Sequence, residues 1–244
     1  MKSVDLSIIV PIYNESHRLA AGLEGLFAYL SQSKLTTEVL LVDDGSTDGT
    51  AAMAEQAAAR HEQVRLIRLT RNRGKGAAVK AGMLAATGRV RLFTDIDLSV
   101  PIATADEFYR LCRDGNDIVI GTRKITTSNV EVHQPRYREL LGEVFRQTTL
   151  RLFTPGLTDI TCGFKAFTAE ATARIFAQSV IQRWSFDAEI LFLALRYGMA
   201  VKEIPVTWRN NPETKVRLAV DLPRSLMELI RVRWRWATGG YAKA

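Results

Sequence analysis

The chain has few of the residues that mark disulfide-rich, zinc-binding or membrane-spanning proteins. Its 244 residues include only two cysteines, Cys112 and Cys162, and three histidines without metal-ligand spacing. This excludes a disulfide framework and a four-thiolate zinc site, and predicts two buried thiols in a reducing compartment. No apolar run approaches the roughly 20 residues that a membrane-spanning helix needs. No secretory signal precedes the first predicted strand. We therefore expect a cytoplasmic protein, with peripheral contact to the cytoplasmic membrane face as an open alternative.

The composition also lacks low-complexity segments, internal repeats and a linker. Apolar residues make up 47% of the chain, and the mean hydropathy is −0.03. Both values exclude a disordered chain. The length suits one large α/β domain with a substantial core.

The net charge of +7 is unevenly distributed along the chain. Residues 60–91 carry nine basic and one acidic side chain, and residues 205–244 carry eight and three. Such segments meet nucleic acid, phosphorylated ligands or anionic lipid. The first segment contains no aromatic residue for base stacking. A nucleic-acid-binding module is therefore the weaker alternative, and we expect no nucleic-acid partner.

Apolar strands alternate with helical patterns along the first half of the chain. This alternation predicts a mostly parallel sheet with helices on both faces. The predicted strands cover 4–10, 38–42, 64–69, 90–94, 117–121, 163–167 and 200–208. The predicted helices cover 19–30, 48–60, 76–86, 137–153, 186–197 and 221–237, and 126–135 is a predicted loop.

Polar residues follow the predicted strands. Ligands of parallel sheets bind at the carboxyl ends of the strands, so these residues should share one cleft. They are Tyr13-Asn14-Glu15, Asp43-Asp44-Gly45-Ser46, Thr70-Arg71-Asn72-Arg73, Asp95-Ile96-Asp97 and Thr122-Arg123.

Three of these strand ends suit a metal-bound nucleotide. Asp95 and Asp97 can turn toward one hard cation, although an isolated pair of this kind is more often a turn with helix-capping aspartates. Asp43 and Asp44 lie where a base or ribose can be hydrogen-bonded. The basic, glycine-containing turn at 71–76 precedes a helix N-terminus, which favours a diphosphate, although it lacks the spacing of a P-loop.

The order and spacing of these motifs resemble family 2 glycosyltransferases of the GT-A fold, in particular the dolichyl/polyprenyl-phosphate glucosyl- and mannosyltransferase branch. The resemblance covers nearly the whole chain. The motifs are Pro11-Ile12-Tyr13-Asn14-Glu15, Val42-Asp43-Asp44-Gly45-Ser46-x-Asp48, Asn72-Arg73-Gly74-Lys75-Gly76, Asp95-x-Asp97, Asp159-Ile160-Thr161-Cys162-Gly163-Phe164-Lys165, Phe186-Asp187-x-Glu189 and Val206-x-Trp208.

The resemblance implies a Rossmann-like GT-A domain and an inverting, metal-dependent hexosyltransferase. The implied cofactor is Mg²⁺ or Mn²⁺, the favoured donor UDP-glucose, and the acceptor a polyprenyl or dolichyl phosphate. A GDP-mannose donor and a sugar-hydroxyl acceptor in cell-surface polysaccharide synthesis remain alternatives. A nucleotidyltransferase would also use a metal and a nucleotide, but the ordered motifs argue against it.

The resemblance also implies roles for individual residues. Asp95 and Asp97 would hold the metal, with Ser99 standing where the mannosyl branch often has Gln, so that a third ligand stays open. Arg123 and Lys165 would meet the acceptor phosphate. If the acceptor were a hydroxyl, Asp159, Asp187 or Glu189 would be candidate bases, Asp187 being the one assigned to catalysis. The implied nucleotide-sugar contacts are Pro11, Tyr13, Glu15, Asp43, Asp44, Arg73, Lys75, Asp95, Ile96 and Lys215.

The last segment, 221–244, is predicted to follow a catalytic domain at 1–220 as an amphipathic helix. Leu226, Leu229, Ile230 and Trp234 fall near one face, and arginines fall near another. Tryptophan and arginine at this density suit a membrane interface. Packing of the apolar face on the domain is the alternative.

Overall fold

The computed structural model describes residues 3–123, 147, 149–209 and 218–242, with side chains from residue 223 in the last range. The predicted loop at 126–135, most of the predicted helix at 137–153 and Lys215 lie outside the described residues.

One seven-stranded sheet organises the described residues. The strands are β1 (Leu6–Ile12), β2 (Thr37–Asp43), β3 (Val64–Arg68), β4 (Val90–Phe93), β5 (Ile118–Thr122), β6 (Lys165–Thr168) and β7 (Val201–Pro205). Their order in the sheet is β3-β2-β1-β4-β6-β5-β7, and every neighbouring pair is parallel except those made by β6. The predicted, mostly parallel sheet is therefore confirmed.

Helices cover both faces of the sheet, as predicted. Leu6, Ile8 and Val10 of β1 join the core beneath α1, α2 and α4, whereas Ile9 joins the core beneath α3, α5, α6 and α7. This alternation follows from the two-residue period of a strand. The helices are α1 (Leu19–Gln32), α2 (Thr50–Arg60), α3 (Lys75–Ala85), α4 (Ala105–Arg113), α5 (Ala169–Gln178), α6 (Phe186–Arg196) and α7 (Leu218–Ala237).

Two helices were not predicted from the sequence. α4 begins after a short 3₁₀ turn and has Asp106 and Glu107 in its first turn, where the helix dipole favours negative charge. α5 is capped by Thr168, whose Oγ1 accepts the Ala171 N–H at 3.1 Å. Both helices are short, at nine and ten residues.

The C-terminal helix packs on the domain through a face different from the predicted one. Leu229 and Val232 are buried, and the Trp236 ring contacts Phe192 at 5.8 Å between centroids. Ile230 and Trp234, grouped with Leu229 by the sequence, are exposed. The prediction was therefore wrong in placing Leu229 on the same face as Ile230 and Trp234, whereas Leu226, Ile230 and Trp234 share an exposed face. No helix of the described residues is long and apolar enough to span a membrane.

Helix α1 lies unusually close to the turn that follows β4. A Cβ built on Gly22 would lie 2.2 Å from the Ile96 carbonyl oxygen. Only glycine allows this approach. The close packing brings the loop between β1 and α1 beside Asp95 and Asp97.

Gly22→Ala should therefore lower the free energy of unfolding by about 1–3 kcal/mol, because the backbone must shift. This cost exceeds the gain of about 0.5–1 kcal/mol that alanine brings within a helix. Gly49→Ala is the matched control, because its nearest atom would be 3.9 Å away and its φ is −71°. Urea denaturation measures both variants. Equal stability of Gly22→Ala and the parent would contradict the close packing.

Candidate active site

The loops after β1 and β2 are joined by hydrogen bonds between backbone and side chains. The Asn14 N–H donates to Ser46 Oγ, and the Thr47 N–H donates to Asn14 Oδ1, both at 2.9 Å. The Glu15 N–H donates to Thr50 Oγ1 at 2.7 Å. Asn14 has a φ of 49°, a left-handed conformation that asparagine tolerates better than most residues. The two loops therefore form one rigid wall of the site.

Asp48 and Asp43 both stabilise this wall. Asp48 Oδ1 accepts the N–H of Thr50, the first residue of α2, at 2.9 Å. Asp43 is buried, and its Oδ1 accepts the Ser46 N–H at 3.1 Å. Asp43 Oδ2 has no hydrogen-bond partner among the described residues and lies 3.7 Å from Arg68 Nε.

Asp44 holds the glycine-rich turn. Its Oδ1 accepts the Arg73 N–H at 2.8 Å and its Oδ2 accepts the Gly74 N–H at 2.7 Å. Gly74 has a φ of 108°, which side chains rarely adopt. Burial raises the pKa of Asp44. The carboxylate thus fixes the turn before α3, and its predicted contact with a base or ribose stays a prediction.

Asp95 is paired with the first residue of α3. Lys75 Nζ lies 2.6 Å from Asp95 Oδ1. Burial opposes the charge of Lys75, but the charges of Asp95 and Asp187 outweigh burial and raise its pKa. A Cβ on Gly163 would lie 2.3 Å from Asp95 Oδ2, so this glycine leaves room for the carboxylate. With 42% of its side chain exposed, Asp95 presents an open carboxylate at the end of β4.

Asp97 is oriented by Ser99 and Arg18. The Ser99 N–H and Oγ donate to Asp97 Oδ1 at 3.0 and 2.8 Å. Arg18 Nη1 lies 3.6 Å from Asp97 Oδ2, and the same guanidinium binds Glu15 through Nε and Nη2. Arg18 was not predicted as a site residue, although its position three residues after Glu15 is a usual spacing for an ion pair.

Lys165 forms a buried ion pair with Asp187. Its Nζ donates to Asp187 Oδ1 and to the Cys162 carbonyl oxygen, each at 2.5 Å. Burial raises the pKa of Asp187. Lys165 has no exposed surface. A phosphate contact, as predicted for this lysine, would therefore require the ammonium to leave Asp187.

Arg123 is held by Asp159 in a two-point contact. Its Nε and Nη2 donate to the two carboxylate oxygens at 2.8 and 3.0 Å, and its guanidinium lies 5.3 Å from the Trp208 ring centroid. Burial opposes the charge of Asp159, but Arg123 outweighs burial and lowers its pKa. A carboxylate held ionised in this way is a poor general base, and it instead positions Arg123.

The surroundings of Glu189 argue against its candidate role as a general base. It is fully buried, and it accepts hydrogen bonds from the Val180 and Ile181 N–H groups and from the Tyr241 hydroxyl. The sequence could not show this, because Tyr241 is 52 residues away in the chain.

The contacts bring most of the predicted site residues together. Glu15 is linked through Arg18 to Asp97, and Lys75 joins the turn to Asp95. Pro11 and Tyr13 are partly exposed at the end of β1, and Arg73 lies in the turn. The Ile96 side chain is buried in the core, so only its backbone is left for a ligand.

Two carboxylates suit a hard divalent cation that takes its other ligands from a diphosphate and water. Asp95 and Asp97 are that donor set, and 42% of the Asp95 side chain is exposed. Among the described residues, no group of three or more His, Cys, Asp or Glu is placed to hold a metal. The chain would therefore need ligand oxygens to complete such a site.

The family model for glycosyl transferase family 2 matches residues 7–176. The chain belongs to this family, and it is a glycosyltransferase with the GT-A fold. Its similar relatives include a dolichyl-phosphate beta-glucosyltransferase of Trichomonas vaginalis, 35% identical over 91% of this chain and 72% of that protein. A human protein of the same description is 30% identical over 97% of this chain and 77% of its own length.

Solved structures show the same fold. Mannosyl-3-phosphoglycerate synthase of Rubrobacter xylanophilus gives a TM-score of 0.68 at 18% identity, covering 98% of this chain and 76% of that one. Glucosyl-3-phosphoglycerate synthase of Mycobacterium tuberculosis, in complex with UDP, gives 0.65 at 17% identity, covering 94% and 78%.

Asp44→Asn should lower the free energy of unfolding by about 1–3 kcal/mol. The NH₂ group of the asparagine cannot accept a hydrogen bond, so one of the two backbone N–H groups, of Arg73 or Gly74, would lose its acceptor. The matched control is Asp114→Asn, an exposed carboxylate that pairs with Arg110 at 3.4 Å. We expect the control to change stability by less than about 0.5 kcal/mol. Thermal unfolding compares the two variants with the parent. Equal midpoint temperatures for Asp44→Asn and Asp114→Asn would contradict the role assigned to Asp44.

Proposed function

We propose that the chain transfers glucose from UDP-glucose to a polyprenyl or dolichyl phosphate, with inversion at the anomeric carbon. The relatives support this proposal, since proteins described as dolichyl-phosphate beta-glucosyltransferases are 30–35% identical over most of the chain. The observation that carries it is the contact between Lys75, at the N-terminus of α3, and Asp95. It places a carboxylate pair beside a helix end suited to a diphosphate.

In this proposal Asp95 and Asp97 would hold Mg²⁺ or Mn²⁺, and the ion would supply positive charge to offset the charge of the leaving diphosphate. The N-terminus of α3 faces the same phosphates with the Lys75 side chain and the backbone N–H groups of Lys75 and Gly76, since the Arg73 and Gly74 N–H groups are already bonded to Asp44. The nucleoside would lie against the wall formed by the loops after β1 and β2, which includes Tyr13 and Glu15. Lys215 stays a predicted diphosphate contact outside the described residues.

The acceptor side of the proposal depends on Arg123. Its guanidinium is 22% exposed while Asp159 fixes its direction, so it can receive an acceptor phosphate. A phosphate acceptor is already ionised and needs no general base. This agrees with the hydrogen bonds that the carboxylates of Asp159 and Glu189 already accept from Arg123 and from the Ile181 N–H. Lys165 stays paired with Asp187 at 2.5 Å in this proposal.

Asp97→Asn should reduce glucosyl transfer to dolichyl phosphate by at least about 100-fold, because one charge at the metal is lost. The assay uses UDP-glucose and GDP-mannose in parallel, in Mg²⁺ and in Mn²⁺, with Asp114→Asn as the control. Activity of Asp97→Asn near the parent would reject the metal assignment. Transfer by the parent from GDP-mannose alone would reject the glucose assignment.

We further propose that α7 contacts the bilayer that holds the lipid acceptor. Met227, Ile230 and Trp234 are each about two-thirds exposed on this helix. Leu226 and Ile230 also line a groove of about 220 Å³ beside Leu152. The exposed side chains of Arg224, Arg231 and Arg233 lie on the same helix, so the surface suits an anionic, apolar partner such as a lipid headgroup layer.

The double substitution Ile230→Ser and Trp234→Ser should reduce flotation with vesicles of phosphatidylcholine and phosphatidylglycerol by at least about fivefold. The reason is that interfacial binding scales with the apolar area that is buried in the membrane. Leu84→Ser is the matched control, because Leu84 is an exposed leucine on α3. The core positions Leu229 and Val232 stay intact in both variants. Unchanged flotation of the double variant would reject the membrane contact.

A further inference from the structure

The side chain of Tyr241 reaches into the interior and is 2% exposed, whereas its neighbours Gly240 and Ala242 are exposed. Its hydroxyl donates to Glu189 Oε1 at 2.6 Å, and the Arg235 guanidinium lies 5.2 Å from its ring centroid. A buried tyrosine hydroxyl on a buried carboxylate is a strong, directional contact.

Glu189 transmits this contact to the segment before α6. Its two oxygens accept the Val180 N–H at 2.9 and 3.0 Å and the Ile181 N–H at 2.8 Å. Lys80 donates from Nζ to the Ser179 carbonyl oxygen at 2.6 Å, which ties α3 to the same segment. The carboxylate has no cation within ion-pair distance among the described residues, so its hydrogen bonds carry the compensation for its burial.

The segment at 181–183 packs directly on the glycine-rich turn. A Cβ on Gly74 would lie 2.6 Å from the Gln182 carbonyl oxygen, and one on Gly76 would lie 2.9 Å from the Ile181 carbonyl oxygen. The Ala77 N–H donates to the Gln182 carbonyl oxygen at 3.0 Å. The turn is therefore held from one side by Asp44 and from the other by this segment.

We infer that Tyr241 is a positioning residue for the glycine-rich turn, acting through Glu189 and the segment at 180–183. The path is a continuous series of hydrogen bonds and close contacts in which each group is buried or fixed. Naming the ligand of the turn as a nucleoside diphosphate rests on the proposed function, whereas the mechanical link does not.

Tyr241→Phe tests the link because it keeps the ring and removes only the hydroxyl. Tyr197→Phe is the matched control, since the buried Tyr197 hydroxyl has no hydrogen-bond partner among the described residues. In Tyr241→Phe, hydrogen exchange should accelerate at the Val180 and Ile181 amides and also at the Gly74 and Ala77 amides. The dissociation constant for UDP in Mn²⁺ should rise about three- to tenfold, a usual range for coupling through a packed network.

Each outcome decides a different point. Faster exchange at 180–181 without a change at 74–77 would overturn the inference, as would a lower melting temperature with an unchanged dissociation constant for UDP. Equal effects of Tyr197→Phe would also overturn it, because loss of any buried hydroxyl would then suffice. If the parent bound no UDP while exchange at 74–77 rose in Tyr241→Phe, the proposed donor would be wrong and the link would stand.

Discussion

Compensation of buried charge is the constraint on which this site depends. Lys165, Asp159 and Glu189 have no exposed surface, and Asp44 has almost none. Each ionised group taken out of water needs a partner of opposite charge or several hydrogen-bond donors. Asp159 and Asp187 meet this need with Arg123 and Lys165, whereas Asp44 and Glu189 meet it with backbone N–H groups. The same contacts therefore stabilise the fold and aim the loops at the strand ends.

The constraint also separates groups that support the site from groups free to meet a ligand. Carboxylates with both oxygens committed to the backbone fix loops in place, as Asp44 does for the turn before α3. Asp95 has 42% of its side chain exposed, and Lys75 is the one cation paired with it among the described residues. Arg123 is aimed by Asp159 yet partly exposed. The groups suited to phosphate chemistry thus lie at the edge of a buried network of ion pairs and hydrogen bonds. Their orientation is set before a ligand binds.

The sequence predicted the sheet and the strand-end cluster because both follow local patterns. The strand periodicity, the strand-end carboxylates and the glycine turn each lie within a few residues of one another. The roles of Lys165 and Glu189 depend on contacts 22 and 52 residues away in the chain, which no local pattern encodes. The position of Leu229 on α7 was misassigned for a similar reason. Its packing is set by Phe192 and Tyr197 of the preceding elements rather than by its own periodicity.

The central claim is that a nucleoside diphosphate binds between the turn at 73–76 and the carboxylates of Asp95 and Asp97. A crystal structure of the full chain with UDP and Mn²⁺ tests it most directly. The account predicts Mn²⁺ on Asp95 or Asp97, phosphate oxygens near the Gly74 to Gly76 backbone and Lys75, and Lys165 still paired with Asp187. UDP bound away from the carboxyl ends of β1, β2 and β4, or Mn²⁺ on neither aspartate, would contradict it.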